Sequence, residues 1–301
     1  MRVNASHSFC ASAFGLTWRA DLPLTPFDAV ATRAYDVDIE HTDRLADRAF
    51  PCAVNTGEIY PDGCRVKWRD EMVFDMVGGV RIQYFPGPGW TGELPASLFG
   101  TVAALTLAWR GALPLHACAI ELDGDAFLIA GRSGSGKSVL TADLLSLGAR
   151  FVSDDLSVLH IGANGLSIYP GRTTMRLDPA LADEIEALER QPVKGDARGK
   201  WQLRPLGRTA HQSMPIAGML LLGESTAPVT PVERPGLLLQ QLFRPKWLAA
   251  FPNHRTRLAQ ILRHGGSLPI IRFPAICAAT VRDRRQRAAD ALEAIALIHR
   301  P

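Results

Sequence analysis

The stretch Asp125-Ala-Phe-Leu-Ile-Ala130, Gly131-Arg-Ser-Gly-Ser-Gly-Lys-Ser138, then Val139-Leu-Thr-Ala-Asp-Leu-Leu-Ser-Leu147 decides the fold. Its first part is a short apolar run that reads as a buried strand. Its last part reads as a helix closed by Gly148. Between them the pattern G-x-x-x-x-G-K-[ST] is met at every fixed position by Gly131, Gly136, Lys137 and Ser138. Such a loop must bend tightly enough for successive N–H groups to converge on phosphate oxygens, and glycine permits those dihedrals. Gly131, Gly134 and Gly136 supply that freedom, while Ser133 and Ser135 complete the cradle. Lys137 is expected on the β- and γ-phosphates and the Ser138 hydroxyl on Mg²⁺, with the helix N-terminus pointing its partial positive charge at the same anion. Arg132 could add a phosphate contact, although that variable position more often faces solvent. The ligand implied is a nucleoside triphosphate, ATP with Mg²⁺.

Upstream, Leu113 to Leu122 resembles a strand that turns at Asp123-Gly124 into the loop strand as a hairpin, and Leu94 to Arg110 has helical spacing. His116 lies inside that apolar strand, where a histidine by itself more often serves the core. Downstream, Arg150 to Ser153 reads as a strand ending in Asp154-Asp155, and Asp154 falls sixteen residues beyond Ser138. Carboxyl ends of parallel strands border the ligand crevice of an α/β sheet, so the pair is expected beside the phosphates. One carboxylate can hold Mg²⁺ while the other orients or deprotonates an attacking hydroxyl.

The remaining segments give a hairpin (Ser157 to Ile161, Gly165 to Tyr169), an amphipathic helix at Pro179 to Arg190, and a basic stretch from Gln191 to Leu206 suited to a movable cover (Lys194, Arg198, Lys200, Arg204). A strand at Ile216 to Leu222, helices at Gly236 to Leu248 and Arg255 to Arg263, a strand at Leu268 to Phe273 and a helix at Arg282 to His299 follow. Residues 1 to 92 carry short alternating runs such as Phe14 to Trp18, Cys64 to Trp68 and Val80 to Tyr84, and Pro86 to Trp90 reads as a linker. The fold class is α/β, with a smaller N-terminal mixed α/β domain (1–92) and a phosphate-loop domain (93–301).

In 301 residues with 47% hydrophobic content the chain can bury one large core or two moderate ones, and the usual domain size favours two. Its 33 basic and 30 acidic residues are spread along the sequence, which argues against a nucleic-acid partner. Cys10, Cys52, Cys64, Cys118 and Cys277 form no C-x-x-C pair, so neither a disulfide framework nor a structural zinc is indicated. With no signal-peptide stretch and no run near the ~18 apolar residues that span a bilayer, a soluble cytoplasmic protein without a membrane partner is expected.

Three motifs in fixed order, His116-Ala-Cys-Ala-Ile-Glu-Leu-Asp-Gly124, Ala130 to Ser138, and Gly148-Ala-Arg-Phe-Val-Ser-Asp-Asp155, resemble the catalytic core of the HPr kinase/phosphorylase superfamily. The resemblance is strongest to the short HPr-kinase-like proteins of ribosomal peptide clusters, lasso peptide kinases included, and Phe14 to Leu24 resembles their opening. It implies a P-loop serine kinase acting on a peptide or small protein, with a homo-oligomer possible. It implies active-site roles for His116, Lys137, Asp154 and Asp155. Asp154 is the expected base and Asp155 the metal partner with Ser138, an order that could be exchanged. Two departures stand out: Val139 replaces the glutamate that follows the loop serine in HPr kinases, and only Pro231-Val-Glu-Arg-Pro-Gly236 resembles the phosphorolysis signature. Phosphorylase activity and HPr itself as substrate are therefore not expected. A small-molecule kinase of gluconate or shikimate type and a non-catalytic ATP-binding regulator are the alternatives.

Overall fold

Runs in which every second residue is apolar, such as Gly63-Cys-Arg-Val-Lys-Trp68 and Arg81-Ile-Gln-Tyr-Phe-Pro86, become strands because successive side chains point to opposite faces and only one face is buried. The computed structural model describes residues 8–49, 51–54, 56–162, 165–184, 187–193, 199–205, 212–275 and 280–299. In chain order these hold β1 (Phe9–Ala13), β2 (Leu16–Ala20), β3 (Asp28–Ala29), β4 (Val37–His41), β5 (Cys52–Val54), β6 (Gly57–Tyr60), β7 (Gly63–Trp68), β8 (Met72–Val77) and β9 (Arg81–Pro86). A π-helical stretch, Leu98–Val102, runs into α1 (Ala103–Trp109), followed by β10 (Leu113–Leu115), β11 (Ala117–Leu122), β12 (Asp125–Gly131), α2 (Lys137–Ser146) and β13 (Arg150–Ser153). Then come β14 (Ser157–Gly162), β15 (Gly165–Ile168), β16 (Met175–Leu177), α3 (Pro179–Ala182), β17 (Ala187–Pro192), β18 (Trp201–Pro205) and β19 (Met214–Gly223). The chain closes with α4 (Arg234–Gln240), α5 (Pro245–Ala250), α6 (His254–Gly265), β20 (Ile270–Pro274) and α7 (Val281–His299).

The chain divides into two compact units, residues 1–114 with 243–258 and residues 115–242 with 259–301. The division at 92/93 read from sequence concerns domains that fold on their own, which compactness does not decide. In the first unit β1 to β9 form one sheet in the order β3-β1-β2-β4-β9-β8-β7-β6-β5. Its aromatic core centres on Phe27, whose ring meets Phe14, Trp18 and Phe99 with centroids 5.8, 5.5 and 5.1 Å away. Among the described residues up to 92 there are strands and turns but no helix, so the mixed α/β character expected there reduces to sheet. The expected linker Pro86 to Trp90 is tied to the preceding hairpin: Gly87 N–H donates to Glu71 O and Gly89 N–H to Asp70 O.

The second unit is built on a sheet in which β12 lies between β11, antiparallel, and β19, parallel, with β13 antiparallel to β11 and β20 parallel to β19. Two antiparallel steps make β12 and β13 run the same way with β11 between them. The carboxyl ends of β12 and β13 therefore share one sheet edge with the amino end of β11. One face is covered by α2 and α7: Cys118, Ile120, Phe127, Ile129, Leu220 and Leu222 pack with Leu140, Leu144, Ala288, Ala291 and Ile295. The other side of α2 contributes Ala142 to a second cluster with Phe151, Met175, Leu177 and Leu203.

Three expected elements differ. The helix read at Pro179 to Arg190 is a single turn, α3, followed by β17, which pairs with β18. The alternation Trp201, Leu203, Pro205 makes β18 a strand with Leu203 fully buried, and pairing with it overrides the helical spacing upstream. The expected cover of Gln191 to Leu206 is in part this sheet; its Lys194, Arg198 and Leu206 lie outside the described residues. The helix read at Gly236 to Leu248 is two helices, because a residue before proline avoids the α conformation and Arg244, preceding Pro245, adopts φ +52°. Finally, the strand read at Leu113 to Leu122 is broken at His116. Among the described residues no helix is long and apolar enough to cross a membrane.

Candidate functional site

The loop between β12 and α2 begins at Gly131, with φ +142°, and ends at Gly136, with φ +91°, conformations that side-chain-bearing residues rarely adopt. At Gly131 the backbone also passes so close to β19 that a Cβ would stand 2.6 Å from Leu222 O. Ser135 N–H donates to Arg132 O at 3.1 Å, while among the described residues the amides of Ser133, Gly134, Gly136 and Lys137 meet no acceptor. A row of unengaged amides at a helix N-terminus is what a phosphate requires. Lys137 is buried and its ammonium donates to Gly131 O (2.9 Å) and Arg132 O (3.2 Å). Desolvation pushes its pKa down, against the pull of Asp155 and Asp154. The Arg132, Ser133 and Gly134 positions are exposed.

The shared sheet edge brings β13 to the loop. Asp154, 4% exposed, receives the Ser138 hydroxyl at 2.7 Å and the Cys118 thiol at 3.1 Å on Oδ1, and the Arg176 N–H at 2.9 Å on Oδ2. Cys118, at the start of β11, is fully buried; burial and then Asp154 push its pKa well above the ordinary thiol range, so it stays a donor. Asp155 has φ +67° and turns its carboxylate the other way, where Oδ1 lies 3.1 Å from His116 Nδ1. Desolvation works upward on this carboxyl, but the hydrogen bond and charge of His116, with Arg172 and Lys137 behind it, hold it below its ordinary value. The break between β10 and β11 is what releases His116 from the ladder. Its own N–H is held by Gln241 O at 2.7 Å, and Gln241 Oε1 accepts the Gly131 N–H at 3.2 Å.

All the residues expected at the site thus meet at one sheet edge, with one rearrangement. The loop serine is joined to Asp154; the sequence reading had put Ser138 with Asp155 and left the order of the two aspartates exchangeable. The donor set suits Mg²⁺: a hydroxyl and a carboxylate oxygen 2.7 Å apart beside a phosphate cradle. Among the described residues no group of three or more His, Cys, Asp and Glu could hold a metal alone. A phosphate-borne Mg²⁺ needs no such group, since it keeps waters and nucleotide oxygens as ligands. Cys118, Gln241 and the segment from Arg172 to Arg176 were not singled out from sequence. Cys118 sits on the His116 strand with the period-2 spacing of inward residues, a signal that could have found it. Gln241 lies 110 residues from Gly131 and carried no local signal.

No family model matches the chain. Over 127 residues it is 37% identical to the phosphoenolpyruvate carboxykinase (ATP) of Rhizobium rhizogenes, which amounts to 41% of this chain and 22% of that protein. The chain therefore spans about a fifth of the length of this curated relative. Among solved structures, the HPr(Ser) kinase/phosphatase from Coxiella burnetii shares 19% identity over 40% of this chain and 71% of that one, with a TM-score of 0.25. A superposition that loose carries no weight for fold or function. The curated relative's name specifies ATP.

Proposed function

We propose that the chain is an ATP-dependent kinase, HPr-kinase-like, that transfers the γ-phosphoryl group to a serine hydroxyl of a peptide or small protein, a lasso-type precursor peptide being the favoured acceptor. The observation that carries this reading is the split carboxylate pair: Asp154 on the Ser138 hydroxyl and Asp155 on His116, both beside the loop. The loop amides and Lys137 bind the phosphates, Lys137 exchanging carbonyl partners for phosphate oxygens. Ser138 and Asp154 are the residues that would hold Mg²⁺, which when bound neutralises charge on the β- and γ-oxygens. Asp155, exposed toward the acceptor side and oriented by His116, accepts the serine proton as the serine oxygen bonds to phosphorus and the bridging bond breaks toward ADP. The hydrogen bonds thus favour the exchanged order, Asp154 for the metal and Asp155 for the base.

A small-molecule acceptor is the second reading, favoured by the 37% identity to a relative named for phosphoenolpyruvate. Incubation with labelled ATP and separate pools of peptides and metabolites distinguishes the two. In the same assay Lys137→Ala loses nucleotide binding, Asp155→Asn keeps binding and loses transfer, and Asp154→Asn weakens Mg²⁺-dependent ATP binding by about 10- to 100-fold, the loss of one charge-assisted contact. Full transfer by Asp155→Asn removes the base assignment. Absence of ATP binding by the wild-type chain removes the reading altogether.

A further inference from the structure

Residues Gly171, Arg172, Thr173 and Thr174 are buried although none lies in a helix or strand. Irregular backbone and polar side chains are costly inside a fold unless their groups are paired. Two bonds fix the segment: Gly171 N–H donates to Val152 O at 3.0 Å, and Arg176 N–H donates to Asp154 Oδ2 at 2.9 Å. They hold it along the carboxyl end of β13, beside the carboxylates that face Ser138 and His116. Two of its side chains, those of Arg172 and Thr174, carry buried atoms with no hydrogen-bond partner among the described residues. Arg172 is 6% exposed and makes no hydrogen bond or ion pair among the described residues. Among the described residues Arg172 Nε, Arg176 Nε and Thr174 Oγ1 are buried without a hydrogen-bond partner, as is Ser135 Oγ in the loop.

Burial, followed by the nearby Arg176, pushes the Arg172 guanidinium down to about 10, and Asp154 and Asp155 offset only part of this. At neutral pH it is still a cation. The two carboxylates thus lend Arg172 their charge, but no acceptor among the described residues engages its guanidinium by hydrogen bond or ion pair. A buried guanidinium whose donors are unengaged beside two carboxylates is suited to take phosphoryl oxygens.

We propose that Arg172 is a catalytic residue that binds the γ-phosphoryl group during its transfer, with Arg176 and Thr174 supporting the same anion site. This rests on the phosphotransfer reading given above. A planar guanidinium meets phosphoryl oxygens two at a time. As the serine oxygen bonds to phosphorus and the bridging electron pair leaves on ADP, charge spreads over the three equatorial oxygens, which is where a fixed cation acts. The loop amides serve the phosphates that stay on ADP; Arg172 lies with the two aspartates on the side where the transferring group meets its acceptor.

The test uses the full-length chain as wild type, Arg172→Met and Arg172→Lys, titrated calorimetrically with ADP and with the non-hydrolysable analogue AMP-PNP, each with Mg²⁺, and melted without nucleotide. Arg172→Met is expected to bind ADP within about twofold of wild type and AMP-PNP about 10- to 100-fold more weakly, the loss of a charged hydrogen bond. It is expected to melt no lower than wild type, because an apolar side chain replaces a buried charge that makes no hydrogen bond or ion pair among the described residues. Arg172→Lys, which keeps the charge without the fork, should fold and show an intermediate loss for AMP-PNP. Unchanged AMP-PNP affinity, an equal loss for both nucleotides, or a Met variant that melts far below wild type or fails to fold overturns the inference, since each means that Arg172 serves the fold or not the γ-group. Failure of the wild type to bind either nucleotide instead overturns the phosphotransfer reading, and this inference with it.

Discussion

Gly131→Ala tests the loop's geometry where the structure leaves least room. The residue has φ +142°, a conformation that costs a residue with a Cβ about 1–3 kcal/mol. The added methyl also meets Leu222 O at 2.6 Å and Ser135 Oγ at 2.9 Å. The serine can rotate away, but Leu222 is fixed by the parallel pairing of Gly131 with it. Forcing β12 and β19 apart adds about 1–3 kcal/mol of overpacking, for a total of about 2–6 kcal/mol. In a unit of this size that corresponds to a drop in melting temperature of roughly 4 to 24 °C. Gly134→Ala in the same loop is the control: it has φ +83° and no atom within 4 Å of its new methyl, so only the backbone cost of about 1–2 kcal/mol applies. Scanning calorimetry of the two variants with wild type measures the difference directly. A Gly134 variant that melts as low as the Gly131 variant refutes the claim that close approach to β19, and not dihedral strain alone, dictates glycine at the start of the loop.

Glu233 is held down to about 2, first by the Thr230 N–H (2.9 Å), then by Arg272 (3.0 Å) and the Thr230 hydroxyl (2.8 Å). A depressed carboxylate stabilises above its ordinary value of 4.5 and loses that contribution as pH falls toward 2. Melting curves of wild type and Glu233→Gln should therefore be separated at pH 7 and converge below about pH 4.5; a separation that widens on acidification contradicts this. Thr280 and Asp283 cap α7 reciprocally, Thr280 N–H to Asp283 Oδ2 at 3.1 Å and Asp283 N–H to Thr280 Oγ1 at 3.3 Å. Thr280→Ala should cost about 0.5–2 kcal/mol in denaturant titration, and an unchanged midpoint counts against the cap. Native protein treated with iodoacetamide at pH 8 should be alkylated at exposed Cys52 and spared at Cys118 and Cys64, whose thiols burial pushes up. Peptide mass spectrometry reads the outcome, and rapid native labelling of Cys118 contradicts the burial described.

Features set by neighbours in sequence were legible. The strand, glycine loop and helix around Lys137, the hairpin turn at Asp123-Gly124 and the strand ending in Asp154 all come from contiguous residues whose spacing carries its own physics. What sequence could not supply was register. That β11 lies between β12 and β13, and so brings Asp154 and not Asp155 onto Ser138, depends on pairing between strands far apart in the chain. The same holds for β17 and β18, where pairing defeated a plausible helical pattern, and for Arg172, whose burial follows from where Gly171 and Arg176 are anchored. Pro245 was written into the sequence as a breaker inside the helix read over Gly236 to Leu248, but the left-handed conformation of Arg244 before it was not.

A single glutamine just past α4 grips both sides of the site. Gln241 Oε1 takes the first amide of the loop, and its main-chain carbonyl takes the amide of His116. Neither can be repositioned through that residue without the other. A pull on the end of α4 would therefore act on the loop and on His116 in step, and under the proposed function phosphate binding and proton acceptance would be throttled together and not by halves.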